Sequence, residues 1–453
     1  MVDERDRGSR PNILFFHVDN LGLGELGCYG GGILRGADTR RIDQFAQQGL
    51  KLWHYIVEAQ CTPTRSALMT GRYPIRSGTH TVAVGGEQGG LVAWERTMGD
   101  ILSKTGYATA CLGKWHVGAE TGRWPTDHGF DEWYGPPRSY EECLWVEDPW
   151  YDPRRDPLCY MYEGRKGEVV QKREQLTPEV KRNVDEEYLR RSKAFMERSS
   201  AVNRPFYLYF NHSLMHLPML PRDEFKGASG QGDWADCLLE LDHDFGELLD
   251  ALDQLGVTEN TVVVFAGDNG PEEQLLARGT AGFFEGSYFT SAEGGIRTPC
   301  LIRWLGRVQA NRQSNELVHV TDMFTTLLKW AGCETPADRV IDGVDQDAFF
   351  RGEQENSSRE GCILWVGERM HGIKWQNFKV LNIKQRYFFD PAPLLGTPHL
   401  INLVIDPKER EPISPQYMHT WVLAHVGKIL KEFEASVQKE PVIPAGAPVN
   451  YIP

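Results

Sequence analysis

The chain of 453 residues is 41% hydrophobic and 25% charged, a composition that excludes a disordered polymer and a length that suits more than one core. Its 63 acidic and 49 basic residues leave a net charge of −14, which argues against a nucleic-acid partner, because phosphate-backbone recognition needs a basic surface. A small anionic substrate is not excluded, since its site needs only a local cluster of cations.

Taken in chain order, the pattern predicts a strand over 12–18, then helices over 40–48, 66–70 and 94–104, and a strand over 107–112. A helix over 178–197, a strand over 205–210, a helix over 234–255, strands over 261–267 and 299–304, and a helix over 321–331 follow. The strands are continuous apolar runs bounded by turn residues, which reads as burial on both faces. Strand–helix alternation predicts an α/β fold with a large, mainly parallel sheet sandwiched by helices, its ligands at the carboxyl ends of the strands. A polar linker over 351–358 separates this larger domain, 1–355, from a smaller C-terminal α+β subdomain, 356–453. There the pattern predicts a short antiparallel sheet from strands over 362–366, 378–382 and 387–389. A long helix with apolar spacing at Met418, Val422, His425, Ile429 and Phe433 comes next, then an irregular tail from Pro441.

The 9 cysteines form no C-x-x-C pair, which suits a reducing compartment and excludes zinc ribbons and fingers. Met1 to Pro11 is charged and lacks an apolar h-region, and no apolar run reaches the roughly 20 residues of a membrane span. A cytoplasmic protein without a membrane partner is the expectation; a homo-oligomer is compatible with it.

Chemistry concentrates at the ends of the predicted strands. The first ends in His17-Val18-Asp19-Asn20, and the 261–267 strand runs into Gly267-Asp268-Asn269-Gly270. Two Asp-Asn pairs at strand ends can supply four oxygen ligands to one hard cation, although Asp-Asn-Gly also makes ordinary turns. The 107–112 strand leads to Lys114 and His116, two apart and therefore on one face if the chain stays extended. Another strand leads to His216, which can donate a proton to a leaving group if its pKa is near neutral. Cys61 stands just ahead of a predicted helix, with Arg65 beside it, where backbone N–H groups favour an anion. Gly22-Leu23-Gly24-Glu25-Leu26-Gly27 matches a dinucleotide fingerprint, but Cys28-Tyr29-Gly30-Gly31-Gly32 is too poor a helix to complete it.

The block Cys61-Thr62-Pro63-Thr64-Arg65-Ser66-Ala67-Leu68-Met69-Thr70-Gly71-Arg72 and the segment from Gly106 to Gly118 resemble the two signatures of the sulfatase family. That family lies within the alkaline-phosphatase-like superfamily, and the order of motifs from Asn12 to about Pro299 follows it. The resemblance implies a sulfate-monoester hydrolase, of aryl sulfates on the first expectation, with Cys61 oxidised by a maturation enzyme to formylglycine and hydrated to a diol. It implies one divalent cation, calcium in most of the family with magnesium or manganese as alternatives. Asp19, Asn20, Asp268, Asn269 and the modified Cys61 would hold it. Arg65 would orient the diol, Lys114 and His216 would bind sulfate, and His116 would take the proton that expels it. A phosphonate monoester or phosphodiester hydrolase on the same scaffold is the alternative.

Two positions depart from the family pattern. Asn20 stands where aspartate is common, and Tyr288 stands where a lysine commonly precedes the Glu293-Gly294-Gly295-Ile296-Arg297-Thr298-Pro299 segment. One negative and one positive charge are lost together. Tyr288 keeps the ability to donate a hydrogen bond to sulfate, while the cation is expected to bind more weakly with only two formally anionic ligands.

Overall fold

The run Asn-Ile-Leu-Phe-Phe-His-Val forms a strand buried along its whole length, as an apolar run with no polar alternation requires. It is the centre of a computed structural model that describes residues 10–82, 89–156, 158–273, 278–410 and 416–453; most of the charged N-terminal stretch lies outside them. In chain order the strands are β1 (Asn12–Val18), β2 (Leu50–Leu52), β3 (Tyr55–Ile56), β4 (Ala108–Gly113), β5 (Glu132–Gly135), β6 (Tyr160–Arg165), β7 (Gln171–Gln175) and β8 (Phe206–His212). They continue with β9 (Thr261–Gly267), β10 (Cys300–Arg303), β11 (Arg312–Ser314), β12 (Val318–His319), β13 (Gly361–Val366), β14 (Arg369–Trp375), β15 (Phe378–Ile383) and β16 (Leu394–Asn402).

The large sheet has the order β11-β2-β10-β9-β1-β8-β4-β5-β6-β7. Its middle, β9-β1-β8-β4-β5, is parallel throughout, and only β10 and β6 run against the other strands. Successive β1 residues serve opposite faces. Leu14, Phe16 and Val18 join the core under the helices Arg40–Gln47, Pro178–Ala201 and Asp233–Gln254. Ile13 and Phe15 join the core under Cys61–Thr70, Met98–Lys104 and Val320–Trp330. The expected sandwich of a mainly parallel sheet between helices is what the chain forms.

Several local expectations need correction. The 299–304 run is a strand but pairs antiparallel to β9. The helix expected from Ser66 begins at Cys61, because a proline in the first turn lacks only an N–H that would be unpaired anyway. The helix expected from Trp94 begins at Met98, where Thr97 and Asp100 form a capping box. Residues 387–389 form a turn and no strand. The second sheet is β13-β14-β15-β16, antiparallel throughout, so two of its strands were not anticipated. Met418 lies in a separate 3-10 turn, Gln416–His419, and the long helix runs Val422–Lys439. Val422, Val426, Ile429 and Phe433 pack on the small sheet, and His425 stacks on Trp375 at 4.2 Å.

The small sheet is tied to the large one by buried charge. Glu293 accepts from Lys374 at 2.7 and 2.8 Å, from Lys379 at 3.2 Å and from Arg297 at 2.8 Å. Lys379 also pairs with Glu409 at 2.7 Å, and Glu409 accepts from the Glu293 backbone N–H at 2.6 Å. Both lysines project from strands of the small sheet. The Glu-Gly-Gly-Ile-Arg-Thr-Pro segment therefore serves as the anchor between the two sheets. Removing one partner of such a buried cluster strands the others, at a cost of about 3–5 kcal/mol. Glu293→Ala is expected to lower the urea midpoint accordingly, and an unchanged midpoint would show that the cluster contributes little.

Candidate active site

The four strands that end in the expected site residues are neighbours, in the order β9-β1-β8-β4, so their carboxyl ends deliver one cluster. Asp19 and Asn20 follow β1, Asp268 and Asn269 follow β9, Lys114 and His116 follow β4, and His216 follows β8. Cys61 enters from the first turn of its helix, after Gln60 in extended conformation. Asn20 and His116 turn the chain through the left-handed region, at φ 56° and 59°. Asparagine and histidine are among the non-glycine residues that enter that conformation most readily.

Asp19 is the hub. Its carboxylate accepts from Lys114 Nζ at 2.7 Å and from Arg65 Nη2 at 3.2 Å, and the Cys61 thiol lies 3.4 Å from its Oδ1. Arg65 also donates to Asp268 at 2.9 Å, to Asn211 at 2.6 Å and to the Lys114 carbonyl at 3.1 Å. Asp268 accepts from the Asn20 backbone N–H at 3.0 Å, and Asn20 Oδ1 accepts from Asn269 Nδ2 at 2.6 Å. All of these side chains are buried.

The charges sort the two carboxyls. Burial pushes Asp19 up, but Lys114, His216 and Arg65 outweigh it and hold the group well below the ordinary carboxylate range. Burial and the neighbouring Asp19 push Asp268 up to about 7, only partly opposed by Arg65 and Lys114. Burial and Asp19 raise the Cys61 thiol well above its usual value. Burial, Lys114 and Arg65 hold His116 well below the usual imidazole range, and its Nδ1 has no partner. Burial and Lys114 lower His216 as well. Its Nδ1 donates to the Leu217 carbonyl at 2.9 Å, which leaves Nε2 facing Ser139 at 3.1 Å.

Cys61 opens onto a cavity of about 300 Å³ whose walls include His116, His216, Trp145, Tyr288 and Phe388. Tyr288 thus reaches the cavity, with its hydroxyl raised by burial and by Glu272. Of the expected residues, Cys61, His116, His216 and Tyr288 line this cavity, while Asp19, Asn20, Arg65, Lys114, Asp268 and Asn269 form the buried hydrogen-bonded cluster beside Cys61. Sequence reasoning did not mark Asn211, Ser139, Glu141 or Glu272. Asn211 directly follows an anticipated strand and Glu272 follows the second Asp-Asn pair, so position gave a signal for both; Ser139 and Glu141 had none.

Comparison with known proteins gives the geometry its family. The family model described as Sulfatase matches residues 11–333. The chain belongs to the sulfatase family. It is 35% identical over 352 residues to an N-acetylgalactosamine-6-sulfatase of Canis lupus familiaris, covering 74% of this chain and 65% of that protein. A steryl-sulfatase of Mus musculus is 30% identical, over 90% of this chain and 79% of its own. The crystal structure of PsFucS1 sulfatase from Pseudoalteromonas sp. superimposes with a TM-score of 0.90 at 33% identity, over 97% of this chain and 93% of that one. The dinucleotide alternative finds no support in the fold: a 3-10 turn, Gly27–Tyr29, follows the glycines in place of the required helix.

Sulfatases generally carry a divalent cation, and the residues present fit one. Asp19, Asn20, Asp268 and Asn269 offer hard oxygen donors from two adjacent strand ends. Asn269 Oδ1 is buried without a hydrogen-bond partner, an arrangement a cation would satisfy. Asp19, Cys61 and His216 also place ligand atoms within 4.8 Å of one another. Because Asp268 is protonated below about pH 7 in the metal-free protein, a cation must displace its proton. Calcium affinity is therefore expected to rise about tenfold per pH unit below pH 7 and to level off above it. Calorimetric titrations at pH 6, 7 and 8 measure this, and affinity independent of pH would exclude Asp268 as a proton-coupled ligand.

Proposed function

We propose that this sulfatase hydrolyses sulfate monoesters of ring-bearing alcohols or phenols, with Cys61 as the precursor of a hydrated formylglycine nucleophile. One observation carries the reading. Cys61 sits at the floor of the cavity against Asp19, where burial keeps its thiol protonated, so the unmodified side chain has no nucleophilic form. Oxidation to an aldehyde by a maturation enzyme, then hydration, replaces that inert thiol with two hydroxyls.

The residues divide the work. Lys114 and Arg65 present fixed positive charge beside Cys61 and orient the sulfate and the diol. A divalent cation, calcium by family habit, makes a hydroxyl at this position more acidic when bound. Asp268 takes the proton of the attacking hydroxyl as its oxygen bonds to sulfur and the bond from sulfur to the leaving oxygen breaks. His216 gives that oxygen a proton from Nε2; burial and Lys114 make its imidazolium the minor form in the empty site, and the negative charge of a bound sulfate favours it. His116, held neutral with an unpartnered Nδ1, takes the proton of the second hydroxyl. The bond from carbon to the sulfate oxygen then breaks, the aldehyde re-forms and sulfate departs.

The walls support a ring-bearing leaving group. Trp145, Tyr288, Phe289 and Phe388 offer flat apolar faces, while Ser139 and Glu141 offer hydrogen-bonding groups. An aryl sulfate and a sugar sulfate both suit such a cavity; the relatives are named for a sugar sulfate and a steryl sulfate, both ring-bearing. All 9 cysteines are unpaired, which supports placing the protein in a reducing cytoplasm.

Mass spectrometry of the tryptic peptide 52–65 from protein made in its native host tests the nucleophile. The aldehyde form is lighter than the thiol and reacts with hydrazides. Sulfatase activity from protein with an intact thiol would sink the mechanism. Cys61→Ala is expected to abolish turnover, and His116→Ala to lower kcat about 10²–10⁴-fold. Hydrolysis of 4-nitrophenyl sulfate, a sulfated monosaccharide and a phenylphosphonate monoester, assayed side by side, fixes the reaction class. A higher kcat/KM for the phosphonate would reassign the protein.

A further inference from the structure

Glu272 is a carboxyl group that the proposed chemistry does not use, yet it lies against it. The side chain is 2% exposed. Its Oε1 accepts from Asn20 Nδ2 at 2.6 Å, and its Oε2 is buried without a partner. From there a short relay of amides crosses the site. Asn20 Oδ1 accepts from Asn269 Nδ2 at 2.6 Å, Asn269 Nδ2 also donates to the Gly270 carbonyl at 2.9 Å, and Asn269 Oδ1 is left unpaired.

An aspartate and an asparagine differ here in one respect beyond charge. A carboxylate offers oxygen on both branches, whereas an amide offers oxygen on one and N–H donors on the other. Asn20 can serve a cation only if its amide is turned with Oδ1 inward. A pure acceptor on the opposite side fixes that choice, because it can receive only Nδ2. Glu272 Oε1 is such an acceptor in the carboxylate and in the acid whose proton sits on Oε2, the oxygen that does not face Asn20.

We infer that Glu272 is a positioning residue: its hydrogen bond to Asn20 Nδ2 sets the orientation of both asparagine ligands and thereby compensates for asparagine at position 20. The inference rests on the metal site assigned in the proposed function. It goes beyond that assignment by giving a role to a residue outside the ligand set.

The test is a calcium titration by calorimetry on the full-length protein after EDTA treatment, with folding checked by circular dichroism. Loss of a group that orients a ligand typically costs 10–100-fold in metal affinity. Glu272→Met is expected to weaken calcium binding by about tenfold or more. Glu272→Gln, whose side-chain carbonyl can still accept from Nδ2, is expected to stay within about threefold of wild type. Adding Asn20→Asp to Glu272→Met is expected to restore the affinity, because a carboxylate needs no orienting partner. A folded Glu272→Met protein that binds calcium as wild type does overturns the inference. So does a Glu272→Gln protein as weak as Glu272→Met, which would make charge the operative property. If Glu272→Met fails to fold, Glu272→Ala, which leaves the amide without an acceptor and adds no bulk, takes its place, and a folded Ala variant that binds calcium as wild type does overturns the inference. Sulfatase activity of the wild type, measured in parallel, separates the outcomes. An active, calcium-binding wild type with an indifferent Glu272 sinks only the positioning role. A wild type that binds no divalent cation sinks the metal site and this inference together.

Discussion

Asp19 holds its charge with no solvent exposure, Lys114 at 2.7 Å on one side and Arg65 at 3.2 Å on the other. An isolated carboxylate so placed would be too costly to keep ionised. The two cations make it the more stable form, and each comes from a different element. Lys114 follows β4, two strands away from β1 across β8, and Arg65 lies on the helix above. The charge of one residue therefore dictates how closely that helix and the ends of three strands approach. It also dictates where Cys61 sits, since the thiol shares a helix turn with Arg65 and is drawn to the same carboxylate.

That constraint propagates outward. Arg65 must face Asp19 and Asp268 together, and Asn211 at the end of β8 takes its other edge. Three adjacent parallel strands are pinned to a single guanidinium, which a flexible lysine could not do with the same geometry. The arrangement of charged groups at the carboxyl edge of the sheet follows from this electrostatic closure, with Leu21, Leu214 and Met215 packed beside it. The small sheet obeys the same logic at a different place. Glu293 carries a buried charge that two lysines of β14 and β15 and Arg297 neutralise together. Each sheet is positioned by a carboxylate that would be unstable without its cations.

Much of this was legible in the sequence, and the exceptions have physical causes. Continuous apolar runs gave β1, β4, β8 and β9 because strands buried on both faces have no alternative pattern. The same runs carry no direction, so β10 read as one more parallel strand. The helix expected over 66–70 starts earlier, at Cys61, since a proline in the first turn is harmless. Strand β16 contains Gly396 and Pro398, which suppress a strand pattern but are tolerated at a sheet edge. In the cleft, residues carried by contiguous motifs could be found from spacing. Ser139 and Glu141 could not, since they come from a 3-10 segment brought in by the tertiary fold. The Glu293 segment stood out as a motif, but its role as an anchor depends on Lys374 and Lys379, 81 and 86 positions away in sequence.

The exchange of two family charges at Asn20 and Tyr288 gains a structural meaning from Glu272. In the sequence the two losses balance, one negative for one positive. In the folded chain they are not independent sites, because Glu272 donates no hydrogen bond to Asn20, accepts one from it, and lies close enough to Tyr288 to raise its hydroxyl. A lysine at 288 beside that carboxyl would form a buried ion pair and draw Glu272 away from Asn20. A tyrosine leaves the carboxyl free to hold the amide while still offering a hydroxyl to the cavity. An aspartate at 20 would face Glu272 as a second carboxyl at hydrogen-bond distance, a like-charge contact that could persist only with a shared proton. Asparagine at 20, glutamate at 272 and tyrosine at 288 thus form one compatible set, and an aspartate at 20 or a lysine at 288 would each set a charge against a partner suited to its absence.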